Sequence, residues 1–150
     1  MGKIDIALIK RLREETGVAI IRIREVLEEV KGNEKKALAI LKKEGLEKAE
    51  GRGERETSQG QVFSYVHHTG KVASLVELLC ETDFVAKNEL FVVLGKDIAM
   101  QVASMGEENI EKQEFIKDPS KTIAELIKEV IAKTGENVRL GRVVRVELGK

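Results

Sequence analysis

The stretch "QVFSYVHHTGKVASLVELLCE", residues 61–81, alternates apolar and polar side chains on both sides of Thr69-Gly70. Two runs of period two around a turn signal predict an antiparallel hairpin, although Thr-Gly is a weaker turn than Asn-Gly. In the second run Val72, Val76, Leu78 and Cys80 fall on one face. The segments on either side have helical periods, so this hairpin makes the chain α+β rather than all-helical.

Downstream, "NELFVVLGKDIAMQVASM" at 88–105 is an apolar-rich helix with Asn88 as candidate cap, and its Gly95 permits close packing. A polar loop follows, ended by Pro119. Thr122 and Glu125 match a capping box for a helix that runs to Thr134 and stops at Gly135. The last strand, "NVRLGRVVRVEL", places Val138, Leu140, Val144, Val146 and Leu148 on one side, with Gly141 as a bulge position. Residues 61–150 are therefore expected to form a core of a small three-stranded antiparallel sheet with helices packed on one face.

Upstream, residues 1–45 read as three short helices. Ile4, Leu8, Ile9 and Leu12 mark the first, and "TG" at 16–17 breaks it. Ile20, Ile23, Val26, Leu27 and Val30 mark the second. Asn33 caps the third, where Ala37, Leu38, Ile40 and Leu41 face inward and Gly45 closes the helix. At about 100° per residue, Ile21 lies far from the stripe of its own helix. It is either a tolerated surface residue or a partner contact beside the "TG" turn. Residues 46–60, "LEKAEGRGERETSQG", hold glycines and alternating charges, and read as a tether or a loosely held helix end.

Composition narrows the function. Basic and acidic side chains number 26 each, so no clustered positive surface marks the chain for nucleic acid. No apolar run is long enough to span a membrane, and the amphipathic N-terminus lacks a signal peptide's centre, so a cytoplasmic protein is expected. The single cysteine, Cys80, excludes an internal disulfide and a cysteine-based metal site, and reads as a buried strand residue. Phosphate loops, dinucleotide fingerprints and HExxH are all absent. His67 and His68, adjacent on a predicted strand, should point to opposite faces and not share a metal, although one of them near the turn is a candidate partner contact. Glu28-Glu29 and Glu107-Glu108 read as solvated faces. No catalytic residues, no cofactor and no metal are expected.

One stretch stands apart. "ETDFVAKNELF", residues 81–91, places Phe84 at a strand-to-helix junction beside Asp83, outside any periodic apolar pattern. Asp83 either caps a helical turn while Phe84 fills the core, or the pair is presented to a partner.

"CETDFVAKNELF" closely resembles the signature of bacterial elongation factor Ts, the guanine-nucleotide exchange factors of translation. "LIKRLREETG" at 8–17, "VKGNEKKALAILKKEG" at 30–45 and "IAKTGENVRLGRVVRVELG" near the end are similar to other parts of that family, in the same order. The resemblance implies an N-terminal, ubiquitin-associated-like module that docks on elongation factor Tu through Leu12, Thr16, Gly17, Ile20 and Ile21. It also implies a wedge formed by Thr82, Asp83, Phe84 and Val85, which perturbs the magnesium region of the Tu nucleotide site and releases GDP. Where the family commonly has two methionines, this chain has Ile20 and Ile21, which keep the apolar character without the adaptable thioether. The chain holds one core copy and a short link from Met105 to Thr122 where relatives insert helices, so the resemblance implies a homodimer through the core. Two rivals remain. A ubiquitin-binding module leaves the core unexplained, and an RNA-binding accessory protein conflicts with the balanced charge.

Overall fold

A computed structural model describes residues 5–150, so the expectation for Ile4 lies outside the described residues. The N-terminal helices are α1 (Ile6–Thr16), α2 (Ile20–Glu29) and α3 (Glu34–Glu50). Asp5 and Asn33 cap α1 and α3 by accepting from the amides of Ala7 and Lys36. Ile9, Leu12, Ile23, Val26, Leu27, Ala37 and Leu41 form their shared core. Ile20 does not join it and is 40% exposed, because it opens α2 one turn before the buried stripe begins. Arg22 ties α2 to α3 through Glu44, whose carboxyl is held below the usual range by that hydrogen bond.

Gly45 does not close α3. The helix continues to Glu50, because Gly45 is buried against α6 (Ile123–Thr134), where a Cβ would stand 3.4 Å from the Ala132 Cβ. A small residue here marks a close helix crossing rather than a stop signal. Ala49, four residues further on, is buried in the core of the second half. The start of the 46–60 segment is thus helical and packed.

The hairpin forms as expected from β1 (Gln59–Val66) and β2 (Val72–Cys80), and β5 (Val138–Glu147) adds to the other side of β2. All three strands are antiparallel, in the order β1-β2-β5. On the inner face Phe63, Ser74, Val76, Leu78, Cys80 and Val138 are buried under α5 (Glu89–Met105) and α6. Val72 is only half-buried, at the end of its strand. Gly95 is buried where α5 meets the sheet, and a Cβ there would stand 2.1 Å from the Phe63 ring. Asn88, Thr122 and Gly135 cap and close their helices as the sequence predicts.

The last strand departs from its prediction. The pairing of β2 with β5 slips between Val76 and Leu78, so that Gly141 and Arg142 together oppose Glu77. Glu77 accepts from the Arg142 amide at 3.3 Å inside this bulge. One extra residue inverts every later side chain. Val138 and Leu140 face the helices, whereas Val144, Val146 and Leu148 face outward at 50, 64 and 73% exposure. Val143 and Arg145 turn inward instead, and Arg145 donates to the carbonyl of Ala103.

The 106–121 segment also differs from the expected loop. A 3-10 turn at Ile110–Lys112 leads into a small hairpin of β3 (Glu114–Phe115) and β4 (Asp118–Thr122). Pro119 lies within β4 of this two-stranded sheet, where it blocks no central ladder. Its anchor is Gln101, fully buried on α5, which donates to the Glu114 carbonyl and accepts from the Ile116 amide.

Candidate partner-docking site

Between β2 and α5 the chain makes one helical turn, α4 (Asp83–Ala86). Thr82 is its cap. The Thr82 hydroxyl accepts from the Val85 amide at 3.4 Å, so Asp83 is the first helical residue rather than the cap. Val85 and Ala86 turn inward and are buried, and Gln61 from β1 donates to the Ala86 carbonyl. With that side of the turn anchored, the other side must face out. Phe84 is 82% exposed, more than any other large apolar side chain among the described residues, and Asp83 is exposed beside it. Phe84 does not fill the core.

The turn is also held from the far end of the chain. Glu136, just beyond α6, accepts from both the amide and the hydroxyl of Thr82, at 2.9 and 2.7 Å. Glu81 accepts from the Asn137 amide at 2.7 Å. The buried Asn137 side chain donates in turn to the carbonyls of Gly53 and Arg55. The Cys80 thiol donates to the Thr82 carbonyl at 3.0 Å. Burial, followed by the nearby Glu136 charge, pushes that thiol up to about 11. Cys80 is therefore inert: the folded protein should not react with a thiol-specific dye at pH 8 over minutes, while the denatured chain reacts at once.

The N-terminal candidates belong to a turn that packs against the same end of α6. Leu12 and Thr16 are buried, and the Thr16 hydroxyl donates to the Leu12 carbonyl at 2.6 Å. Gly17 adopts a left-handed φ of 71° and closes α1, and a Cβ there would stand 2.8 Å from the Lys133 Cα. No side chain fits that approach. The turn brings out Ile21, 74% exposed, with Ile20 beside it, as the helical period predicts for Ile21. The end of α6 thus backs both turns, with Lys133 against Gly17 and Glu136 bonded to Thr82.

His67 and His68 do not point apart. β1 ends at Val66, so they lie in the turn, with ring centroids 4.2 Å apart, and the Tyr65 hydroxyl is 3.2 Å from the His67 Nδ1. Among the described residues no three His, Cys, Asp or Glu side chains converge to hold a metal ion. A groove of about 200 Å³ between α1, α3 and α6 is lined by Glu15, Thr16, Lys42, Lys121, Glu129 and Lys133. Two of its lysines are paired, Lys42 with Glu15 and Lys121 with Glu129, and it contains no nucleophile with a base beside it. Among the described residues no helix is long and apolar enough to cross a membrane.

The presented Asp-Phe turn lies in the part of the chain, residues 81–150, that matches the family model described as elongation factor TS. Over almost the full length, the chain is 39% identical to elongation factor Ts of Leptospira biflexa serovar Patoc, covering 94% of this chain and 96% of the relative. The chain belongs to the elongation factor Ts family. Elongation factor Ts of Maridesulfovibrio salexigens is 36% identical over 95% of the chain and 93% of its own length. That of Oleidesulfovibrio alaskensis is 34% identical over 99% and 100%. These alignments span 189, 191 and 197 positions, more than the 150 residues present here, so these elongation factor Ts chains carry segments that this one lacks.

The sequence marks the turn itself far more clearly than Glu81, Glu136 and Asn137, which hold it. Their one visible signal is the polar "GEN" at 135–137, placed directly after a helix stop and before a strand.

Proposed function

We propose that this chain is the guanine-nucleotide exchange factor of elongation factor Tu, acting in the cytoplasm as a non-catalytic partner of that GTPase. The observation that carries this reading is Phe84, an aromatic ring held in solvent on a turn anchored from both ends of the core. An ordered, exposed phenylalanine forgoes the burial of a large apolar surface that only a partner can restore. Asp83 and Phe84 enter beside the Tu nucleotide and disturb the region that holds its magnesium ion. Thr82 caps the turn and Val85 anchors it. Ile20 and Ile21 dock the N-terminal module on the same domain of Tu, with Leu12, Thr16 and Gly17 shaping the turn that presents them. The paired rings of His67 and His68 offer a further contact at the hairpin end.

The energetics follow from linkage. A factor that binds nucleotide-free Tu more tightly than Tu-GDP weakens GDP binding by the same ratio. GTP then refills the site and displaces the factor. Tu loaded with fluorescent GDP, mixed with this chain and excess GTP, should lose its signal faster at substoichiometric factor. A folded chain that leaves the release rate unchanged would overturn the reading.

The homodimer belongs to the same proposal. Support comes from the outer face of the sheet, where Val62, Val66, Leu75, Val144, Val146 and Leu148 are all at least 49% exposed and adjacent across the strands. An apolar sheet face of this kind normally packs on a second layer, and a copy of itself supplies one. Light scattering at micromolar concentration should return twice the chain mass, and Leu75→Asp, central in that face, should halve it. A monomeric mass for the unmutated chain counts against the dimer.

A further inference from the structure

The polar network behind Phe84 anchors the turn without itself being assigned a contact with Tu. We infer that Glu136 is a positioning residue for that reaction: its carboxylate sets the angle at which the α4 turn presents Asp83 and Phe84. This rests on the exchange reading above.

The geometry is specific. The Thr82 hydroxyl has one proton and its orientation is otherwise free. Donation to a Glu136 oxygen at 2.7 Å directs the proton away from the turn, which leaves a lone pair for the Val85 amide. The second Glu136 oxygen holds the Thr82 amide at 2.9 Å. Two charge-assisted bonds on one residue fix both its backbone and its rotamer. Thr82 is the residue directly before Asp83, so any rotation at Thr82 swings the exposed ring. α4 is a single turn and has little order of its own, because a lone helical turn is unfavourable without outside contacts. Glu136 is itself fixed, since Gly135 terminates α6 and the Asn137 amide is bound to Glu81. The same α6 terminus abuts Gly17 of the N-terminal turn. Glu136 thereby sets the presentation of the wedge relative to the module that carries Ile21.

Glu136→Gln is the test, because it keeps the shape and one acceptor but replaces the other with a donor. Factor-stimulated GDP release should fall about tenfold at subsaturating factor, the scale of one lost charge-assisted hydrogen bond. In a Phe84→Ala background the same change should have no further effect, since a positioning residue acts only through what it positions. Amide exchange of the free protein, read by NMR, should show protection of the Thr82 and Val85 amides lost in Glu136→Gln and kept in Thr82→Ser. Thr82→Val, which removes the hydroxyl from the other side, should reproduce the loss if Glu136→Gln proves unstable. Unchanged release, additive loss on Phe84→Ala, or undiminished amide protection in Glu136→Gln would each overturn the assignment. If the unmutated chain fails to accelerate GDP release, the exchange reading falls instead, and the amide protection still decides whether Glu136 holds the turn.

Discussion

Phe84→Ala should leave the protein folded and remove most of its exchange activity. The ring is 82% exposed, so its loss opens no cavity and the melting temperature should move by no more than about 2 °C. In the complex the same ring would be buried, and truncating an aromatic anchor typically costs about 2–4 kcal/mol, a reduction of roughly 30- to 1000-fold in stimulated GDP release. Phe84→Leu should retain an intermediate rate, because it keeps apolar bulk without the flat ring. The opposite pattern, a large stability loss with unchanged exchange, would identify Phe84 as structural. Stopped-flow release of fluorescent GDP and a thermal melt together separate the two.

Gly60→Ala should have the largest effect on stability. Gly60 has φ 152° in a strand at the edge of the sheet, and a Cβ there would lie 2.1 Å from the carbonyl oxygen of Leu78 on the neighbouring strand. The obstacle is backbone in a central strand, which cannot swing away. The conformation itself is nearly exclusive to glycine and strains any other residue by about 1–3 kcal/mol. Together these predict a loss of about 3 kcal/mol or more, a fall of roughly 10 °C in melting temperature. Gly141→Ala is the informative comparison. Its Cβ would also meet an oxygen at 2.2 Å, but that oxygen ends the flexible Glu77 side chain, which can move aside toward solvent. Calorimetry should show a much smaller loss there. Equal losses would mean that the bulge, rather than the strand crossing, limits the sheet.

Both sites show how far local pattern reaches. The 46–60 segment reads as a tether or a loosely held helix end because it is polar and glycine-rich; its first residues extend α3 and its last two begin β1. Gly45 reads as a stop because glycine usually ends helices, but here it lets α3 approach α6. In each case a residue chosen for a distant contact carries the same letter as one chosen for a local turn. The bulge at Gly141 was visible as a glycine in a strand. The inversion of Val144, Val146 and Leu148 was not, since it depends on whether the ladder slips opposite Glu77.

The candidate site divides in the same way. Phe84 stands out because it breaks the periodicity around it, but its choice between core and solvent is visible only in the fold, where it is 82% exposed. Glu136 lies 54 residues from Thr82 and did not stand out, because one acid among 26 has no pattern until the fold brings it to its partner. Features that depend on neighbours along the chain are legible in its letters: the helices and their caps at Asn33, Asn88 and Thr122, the hairpin, the family, and the turn that bears Phe84. Which face of β5 is open, how His67 and His68 meet, and what holds the Phe84 turn emerge only from the packed fold. Those outcomes rest on contacts between residues far apart in sequence, where a slip of one residue or an approach of a few ångströms reverses the result.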